Sequence, residues 1–422
     1  MNMRRFWILA ASSAVAIMNI LPPITCHDIS LNAAEPPVNR KITLSPHQRE
    51  MSDNNTDFAC NLFRAINKDT QGNVSTIVSP ISVSYMLGML NEGAEGKTFQ
   101  QISDVLGLGG SVDEINNYFK KMIDEAPRVD SRVTMKIANS INVNSALGIS
   151  LIPQYEADML KYYHAQIDAL DFNKSSNVDI INYWCNIRTN GMIPKILYNL
   201  EAGAAMYLLN AVYFKAAWTN KFDPTETHDM DFTMPNGCTV ELPLMHLNLQ
   251  QAKYDENNLY KALCLPYGSM GYSMYILLPN EGKTVNDIIQ SLSSQSIKKL
   301  DYGMKHRHVD ILIPRFTASN ETDLKNVLSS MGMPLAFDEN HAEFTGMAQS
   351  CILYVSMMKQ KAIIEVNEEG TKAAAVTVTE MTNRSMIHAG SCYTFHATRP
   401  FVYYIVENST GSLFFMGTYC GN

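Results

Sequence analysis

Few residues in this chain are spaced for chemistry. His306 and His308 flank Arg307 ahead of an alternating apolar run, and side chains two apart on a strand share a face, so a metal pair is conceivable. Two solvated imidazoles are the commoner outcome of that pattern. Glu368 and Glu369 are adjacent carboxylates, but neighbouring strand residues face opposite ways, which argues against an acid–base pair. No P-loop, HExxH, EF-hand loop or GxSxG elbow occurs. The eight cysteines, at 26, 60, 185, 238, 264, 351, 392 and 420, include no Cys-x-x-Cys and match no zinc spacing. If Cys26 is processed, seven remain and at least one is unpaired; buried free thiols are the expectation, with room for one bridge. What is left is a bond rather than a catalyst. Arg384-Ser385 places arginine on the acyl side, which suits a protease pocket with an acidic base. Met381, Met386 and Tyr393 would suit chymotrypsin- or elastase-like enzymes if another bond were presented. The pattern reads as a substrate for an enzyme, not as an enzyme, and calls for no cofactor or metal.

The segment leading to that bond is unusual. From Glu368-Glu369-Gly370 it runs through Thr371, Lys372, Ala373, Ala374, Ala375, Val376 and Thr377 to Thr382. Thr371, Ala373, Ala375, Thr377, Thr379 and Met381 carry no charge, whereas Lys372 and Glu380 share the other parity. Strand side chains alternate faces, so the run can enter a sheet with a narrow uncharged face inward. Gly370 to Arg384, extended at ~3.3 Å per residue, spans roughly 50 Å, about a domain's diameter.

The remainder must position this run. The chain has 422 residues, 46% hydrophobic and 18% charged, with a formal net charge of −8. That is enough to bury a large core and disfavours nucleic acid as a partner. Lys120-Lys121 and Lys298-Lys299 are local basic pairs that read as solvated faces, and the 25 methionines read as core filler. Residues 1–26 read as an export signal: Arg4-Arg5, a mostly apolar run over 6–21, then Cys26. Plain secretion and lipidation at Cys26, as in an outer-membrane lipoprotein of a bacterium, both stay open. Residues 27–44 read as a tether, with Pro36-Pro37 and no apolar period, and the folded domain as 45–422. The spacing predicts helices following a start signal at 54–57, and over 81–92, 112–125, 153–163, 182–188 and 321–331. It predicts strands over 74–78, 133–143, 207–214, 263–267, 272–279, 309–313, 401–406 and 413–416. Helices dominate the first half and strands the second, so the fold class is α+β.

Several of these segments together resemble the serpin family. The hinge-like Glu368-Glu369-Gly370-Thr371 with Ala373-Ala374-Ala375 is one. Others are Asn73-Val74-Ser75-Thr76-Ile77-Val78-Ser79-Pro80, Asn210-Ala211-Val212-Tyr213-Phe214 through Trp218, Leu265-Pro266-Tyr267, Pro314-Arg315-Phe316, Arg399-Pro400-Phe401 and Leu413-Phe414-Phe415-Met416-Gly417, in the family's order. The resemblance, to bacterial secreted or lipoprotein members of inhibitory type, implies about nine helices, three sheets and an exposed reactive-centre loop at about 368–398. It implies a monomeric inhibitor that traps trypsin-like serine proteases, with cysteine proteases as secondary targets. A non-inhibitory carrier or chaperone is the alternative. It also carries a sheet-opening control onto Ser79, Ser82, Asn210, Trp218 and Gln360. Gln360 stands where many members have histidine, and Lys372 where an acidic residue is more usual.

Overall fold

The computed structural model describes residues 40–348, 353–371 and 392–421. Cys26, the export signal and the tether up to residue 39 lie outside the described residues, as do Lys372, Ala373, Ala374, Ala375, Val376, Thr377, Arg384 and Ser385. The elements are α1 (Pro46–Ile66), β1 (Thr76–Val78), α2 (Pro80–Gly93), α3 (Gly96–Leu106), α4 (Val112–Glu125), β2 (Val133–Asn144), α5 (Pro153–Tyr163), β3 (Gln166–Leu170), α6 (Asn177–Arg188) and β4 (Met206–Ala217). There follow β5 (His228–Thr233), β6 (Thr239–Glu256), β7 (Tyr260–Tyr267), β8 (Tyr272–Pro279), α7 (Val285–Ser291), α8 (Ser294–Gly303), β9 (Lys305–Pro314), β10 (Phe316–Asp323), α9 (Lys325–Met331), β11 (Val355–Val366), β12 (Gly370–Thr371), β13 (Tyr393–His396), β14 (Phe401–Glu407) and β15 (Leu413–Tyr419).

The expected α+β class holds, with nine α-helices and two hydrogen-bonded sheets among the described residues. Three sheets become two paths because β6 is 18 residues long. Its last residues pair β7, while the rest pairs β5 and β9, so two strand groups merge into one order, β1-β15-β14-β8-β7-β6-β9-β13. The second sheet, β10-β11-β4-β2-β3, is the one that matters for the loop.

β4 runs along the middle of that sheet and is apolar almost throughout because both its faces are covered. Met206, Leu208, Val212, Phe214 and Ala216 enter the main core, which α2 shares; Tyr207, Leu209 and Ala211 enter a smaller core built with Trp184 and Cys185 of α6. α2 is buried on nearly every side, as its predominantly apolar composition requires, and its buried Ser82 and Ser84 are hydrogen-bonded.

Some boundaries differ from the sequence reading, each for a physical reason. α1 starts at Pro46, not after 54–57, because Ser45 and Gln48 close a reciprocal capping box and Pro46 occupies the first turn. Asn55 and Thr56 are interior residues of that helix; Asn55 accepts a hydrogen bond from Ser84. Arg40 donates its backbone N–H to the Val129 carbonyl, and Ile42 and Leu44 are buried, so residues 40–44, read as tether, pack on the body. Residues 321–323 are strand, not helix: Glu321 of β10 lies opposite Lys361 of β11 and pairs with Lys359 at 2.7 Å. Cross-strand pairing there overrides local helical preference. β11 itself has no counterpart in the sequence reading.

Candidate functional site: the hinge and the sheet opening

β11 and β4 run parallel in register from Val355 beside Met206 up to Ile364 beside Phe214. Beyond Phe214 the two strands part, and the chain turns back into the gap. Asn367 and Gly370 bridge each other, then Gly370 pairs with Ala217 and Thr371 with Ala216, antiparallel to β4. Gly370 has φ +132°, and a Cβ there would sit 2.2 Å from the Ala216 carbonyl oxygen and 2.5 Å from the Ala217 Cα. Only glycine allows this close approach.

The turn is held from several sides. Trp218 donates its backbone N–H to the Glu369 carbonyl at 2.9 Å and its indole N–H to the Asn367 carbonyl at 2.9 Å. Its ring stacks on Tyr267, centroids 4.3 Å apart and 11° from parallel. Phe222 donates its N–H to the Glu368 carbonyl. The Glu368 carboxylate accepts from Thr227 Oγ1 at 2.8 Å and from Arg315, whose Nε lies at 3.0 Å. Burial alone would raise the Glu368 pKa; the bonds from Arg315 and Thr227 outweigh it and hold the carboxyl below the usual glutamate value. Glu369 instead pairs with Lys221 at 2.5 Å. The two carboxylates thus serve different cations and share no proton-transfer partner.

Ser79, Ser82, Asn210 and Gln360 come together beneath the sheet, all essentially inaccessible to solvent. Gln360 accepts from the Ser79 backbone N–H at 2.7 Å and donates to the Ser79 carbonyl at 3.0 Å and to Asn210 Oδ1 at 3.1 Å. Ser79 and Ser82 share a hydroxyl bond of 2.9 Å. Asn210 donates to Asn139 Oδ1 on β2 at 2.9 Å. A line of side chains therefore crosses β11, β4 and β2, with Gln360 opposite Asn210 and Asn210 opposite Asn139. Trp218 is not in this cluster; it belongs to the hinge. Residues the sequence reading missed are Asn139, Asn367, Arg315, Thr227 and Lys221. Arg315 sits in a segment that carried the resemblance; nothing local marks the others.

The other candidates are absorbed structurally. His306 bonds the Gln251 carbonyl and His308 the Asn248 side chain. Lys120 and Lys121 pair with Asp124 and Glu125 one turn on, and Lys298 pairs with Asp53. Cys60, Cys185, Cys264 and Cys420 are buried free thiols, and Cys238 and Cys392 are exposed free thiols. Burial pushes the Cys60 and Cys185 thiols up to about 12, which leaves them unreactive at neutral pH.

The structure thus combines a gap at the top of a central sheet, a glycine hinge entering it and a buried polar line across it. The family model described as "Serpin (serine protease inhibitor)" matches residues 53–421. The chain is a serpin. It is 31% identical over 371 residues to the glia-derived nexin of Rattus norvegicus, an alignment covering 86% of this chain and 91% of the nexin. Among solved structures it is similar to the thermophilic serpin tengpin in its native state, with a TM-score of 0.80 and 29% identity over 91% of this chain and 96% of tengpin. It is also similar to human thyroxine-binding globulin complexed with thyroxine, with a TM-score of 0.80 and 28% identity over 88% of this chain and 98% of the globulin. A nexin and a thyroxine-binding globulin are thus both among the serpins this chain is similar to.

Proposed function

We propose that this serpin is a suicide inhibitor of trypsin-like serine proteases, with Arg384-Ser385 as the bond presented and cysteine proteases as secondary targets. The observation that carries this reading is the register of the hinge. Continuing the Gly370–Ala217 and Thr371–Ala216 pairing along β4 puts Ala373 opposite Phe214, Ala375 opposite Val212, Thr377 opposite Asn210, Thr379 opposite Leu208 and Met381 opposite Met206. Apart from Asn210, those β4 residues line the main core, and opposed antiparallel residues share a face. The uncharged parity is therefore the one directed inward. Continuing the Asn367–Gly370 bridge along β11 puts Thr377 opposite Gln360. The Thr377 hydroxyl would thus meet the two side chains, Asn210 and Gln360, that now bond each other. Lys372 falls between Glu365 and Lys215 on the other face, so its charge is no obstacle to entry.

In the proposed cycle the protease serine oxygen attacks the Arg384 carbonyl carbon, and its proton passes to the protease base. The C–N bond to Ser385 breaks as that proton reaches the leaving amine, and an ester to Arg384 remains. The released run enters between β11 and β4, breaking their parallel ladder and gaining an antiparallel one on each side. The uncut fold is then a kinetic trap. Incubation with trypsin should give an SDS-stable complex and a released fragment that begins at Ser385, read by gel and mass spectrometry. Cleavage that leaves trypsin fully active would refute the reading. The same mass spectrum of material from an exporting host tests processing near Cys26 and whether that cysteine carries lipid.

One observation favours the carrier alternative. A cavity of about 420 Å³ lies between α1, α8 and β6–β8, its apolar lining including Leu249, Ala252, Pro266, Met270 and Ile297. Saturable binding of an apolar fluorophore there, with no covalent protease complex, would select the carrier role.

A further inference from the structure

α6 is apolar on two faces. Val178, Ile181, Trp184 and Cys185 pack inward on the small core over β4. On the outer face Ile180, Tyr183 and Ile187 recur at helical spacing and are 46, 68 and 56% exposed. Tyr198, 71% exposed, follows a segment fastened to the same helix: Asn182 donates to the Leu197 carbonyl at 2.8 Å and accepts from the Ile196 and Leu197 N–H groups. A surface helix turns charged and polar residues outward, whereas one that is apolar on opposite sides is suited to being covered on both.

We infer that this outer face pairs with the same face of a second copy, in an isologous dimer whose two α6 helices run antiparallel. The first argument is symmetry. Ile180 and Ile187 lie at equal distances on either side of the Tyr183-Trp184 peptide, ~10 Å apart along the helix. A two-fold axis at that midpoint sets Ile180 of each copy against Ile187 of the other and brings the two Tyr183 rings together at the centre.

Charge selects the same orientation. Asp179 and Asn186 are seven residues apart and so share one flank of the stripe. Antiparallel pairing sets each Asp179 carboxylate beside the Asn186 amide of the other copy and keeps the two carboxylates roughly 13 Å apart along the axis. Parallel pairing would set them side by side. Arg188 lies on the other flank, where it lines a cavity of about 230 Å³ with Trp184, His164 and Lys136 of β2. The Asp179 flank thus carries an acid, not the lysines and arginines that seat a helix on a lipid surface.

Area sets the strength. A tyrosine covers about 150–250 Å² when buried, so these two tyrosines and two half-exposed isoleucines leave on the order of 400–500 Å² per copy. That is towards the upper end of what a monomer leaves bare. Two such faces with their polar rim reach about 1,000 Å², the lower bound for a specific contact, and fit a reversible dimer with a Kd of about 1–100 µM. The dimer departs from the monomer that the family resemblance implies, and it does not depend on the inhibitory reading.

The test is sedimentation velocity of the full chain from about 1 to about 300 µM, a range that spans the expected Kd. The parent should pass from monomer to dimer. Tyr183→Lys, which sets two like charges face to face across the axis, should weaken association about a hundredfold or more. Its urea midpoint should match the parent's, because the ring is exposed. Orientation is read by oxidative crosslinking in a Cys238→Ser/Cys392→Ser background, which removes the two exposed thiols and is also oxidised alone for comparison. There Tyr183→Cys should crosslink, as should Ile180→Cys mixed with Ile187→Cys, while Ile180→Cys alone should not. A parent that stays monomeric throughout, a dimer unchanged by Tyr183→Lys, or crosslinking by Ile180→Cys alone each overturns the pairing. If a monomeric parent instead floats with phosphatidylcholine vesicles and Tyr183→Lys does not, the face belongs to a lipid surface and the dimer is refuted.

Discussion

Ala375→Asp should convert the protein from inhibitor to substrate. In the proposed cycle the acyl-enzyme partitions after cleavage between loop entry, which would trap the protease, and deacylation, which would free it. Continued into the proposed inserted strand, the register of Gly370 and Thr371 would set Ala375 opposite Val212, which is inaccessible to solvent and part of the main core. No cation lines that stretch of the inward face; the β4 neighbours on it are Phe214 and Asn210. An unpaired carboxylate buried there costs several kcal/mol after relaxation. About 3 kcal/mol added to the barrier slows entry roughly 150-fold. Deacylation is untouched, so nearly every encounter should end with a cut serpin and a free protease. The control is Lys372→Asp, which places the same charge on the other parity, between Glu365 and Lys215. The assay titrates trypsin with increasing inhibitor, reads residual activity at the plateau, and resolves complex from cleaved chain on a denaturing gel. Ala375→Asp should need many equivalents and give cleaved chain, while Lys372→Asp stays near the parent. Equal loss in both variants, or full trapping by Ala375→Asp, would refute the assignment of the inward face.

Gly370→Ala should lower the unfolding free energy by about 1–3 kcal/mol in urea, since its Cβ meets backbone on β4 and φ is +132°. Gln360→Ala leaves the Ser79 N–H and the Asn210 amide oxygen without a buried partner and should cost about 2–4 kcal/mol by the same measurement. Because Glu368 is held below the ordinary glutamate value, its stabilising contribution is complete above that value and is lost as pH falls through the depressed one. The urea midpoint should accordingly drop in acid less steeply in Glu368→Gln than in the parent. Arg384→Ala should abolish the trypsin complex, and no fragment beginning at residue 385 should be released.

Much of the scaffold was legible in the sequence. The helices over 112–125 and 153–163 appear with the predicted bounds, because Ser111 and Pro153 punctuate strong apolar periods. β4 was visible as an apolar run, since a strand buried on two faces has no polar side to show. β11 was not: Lys359, Gln360 and Lys361 interrupt its alternation, and their partners, Glu321, Asn210 and the Lys195 carbonyl, are far away in sequence. Ser79 and Gln360 are 281 positions apart and Gln360 and Asn210 150, so only the family resemblance, not local pattern, could join them. The contacts of Asp310 with His246 and His396 lay beyond sequence reasoning for the same reason. His246, Asp310 and His396 meet through the registers of three strands.

The sheet proposed to receive the loop has a parallel seam. Its antiparallel junctions, β10 with β11 and β2 with β4, carry eight and eleven residue pairs. The junction between those two halves, β11 with β4, is parallel, with nine pairs and an irregularity near Val355. Parallel pairing is slightly weaker per residue. β2 with β3 is parallel as well, with five pairs, but it lies at the sheet's edge; β11 with β4 is the parallel line in the sheet's interior. Along that line the sheet can part like a perforated page, leaving each half intact as a rigid panel. Gln360 is the stitch across that line, through its hydrogen bond to Asn210 on β4.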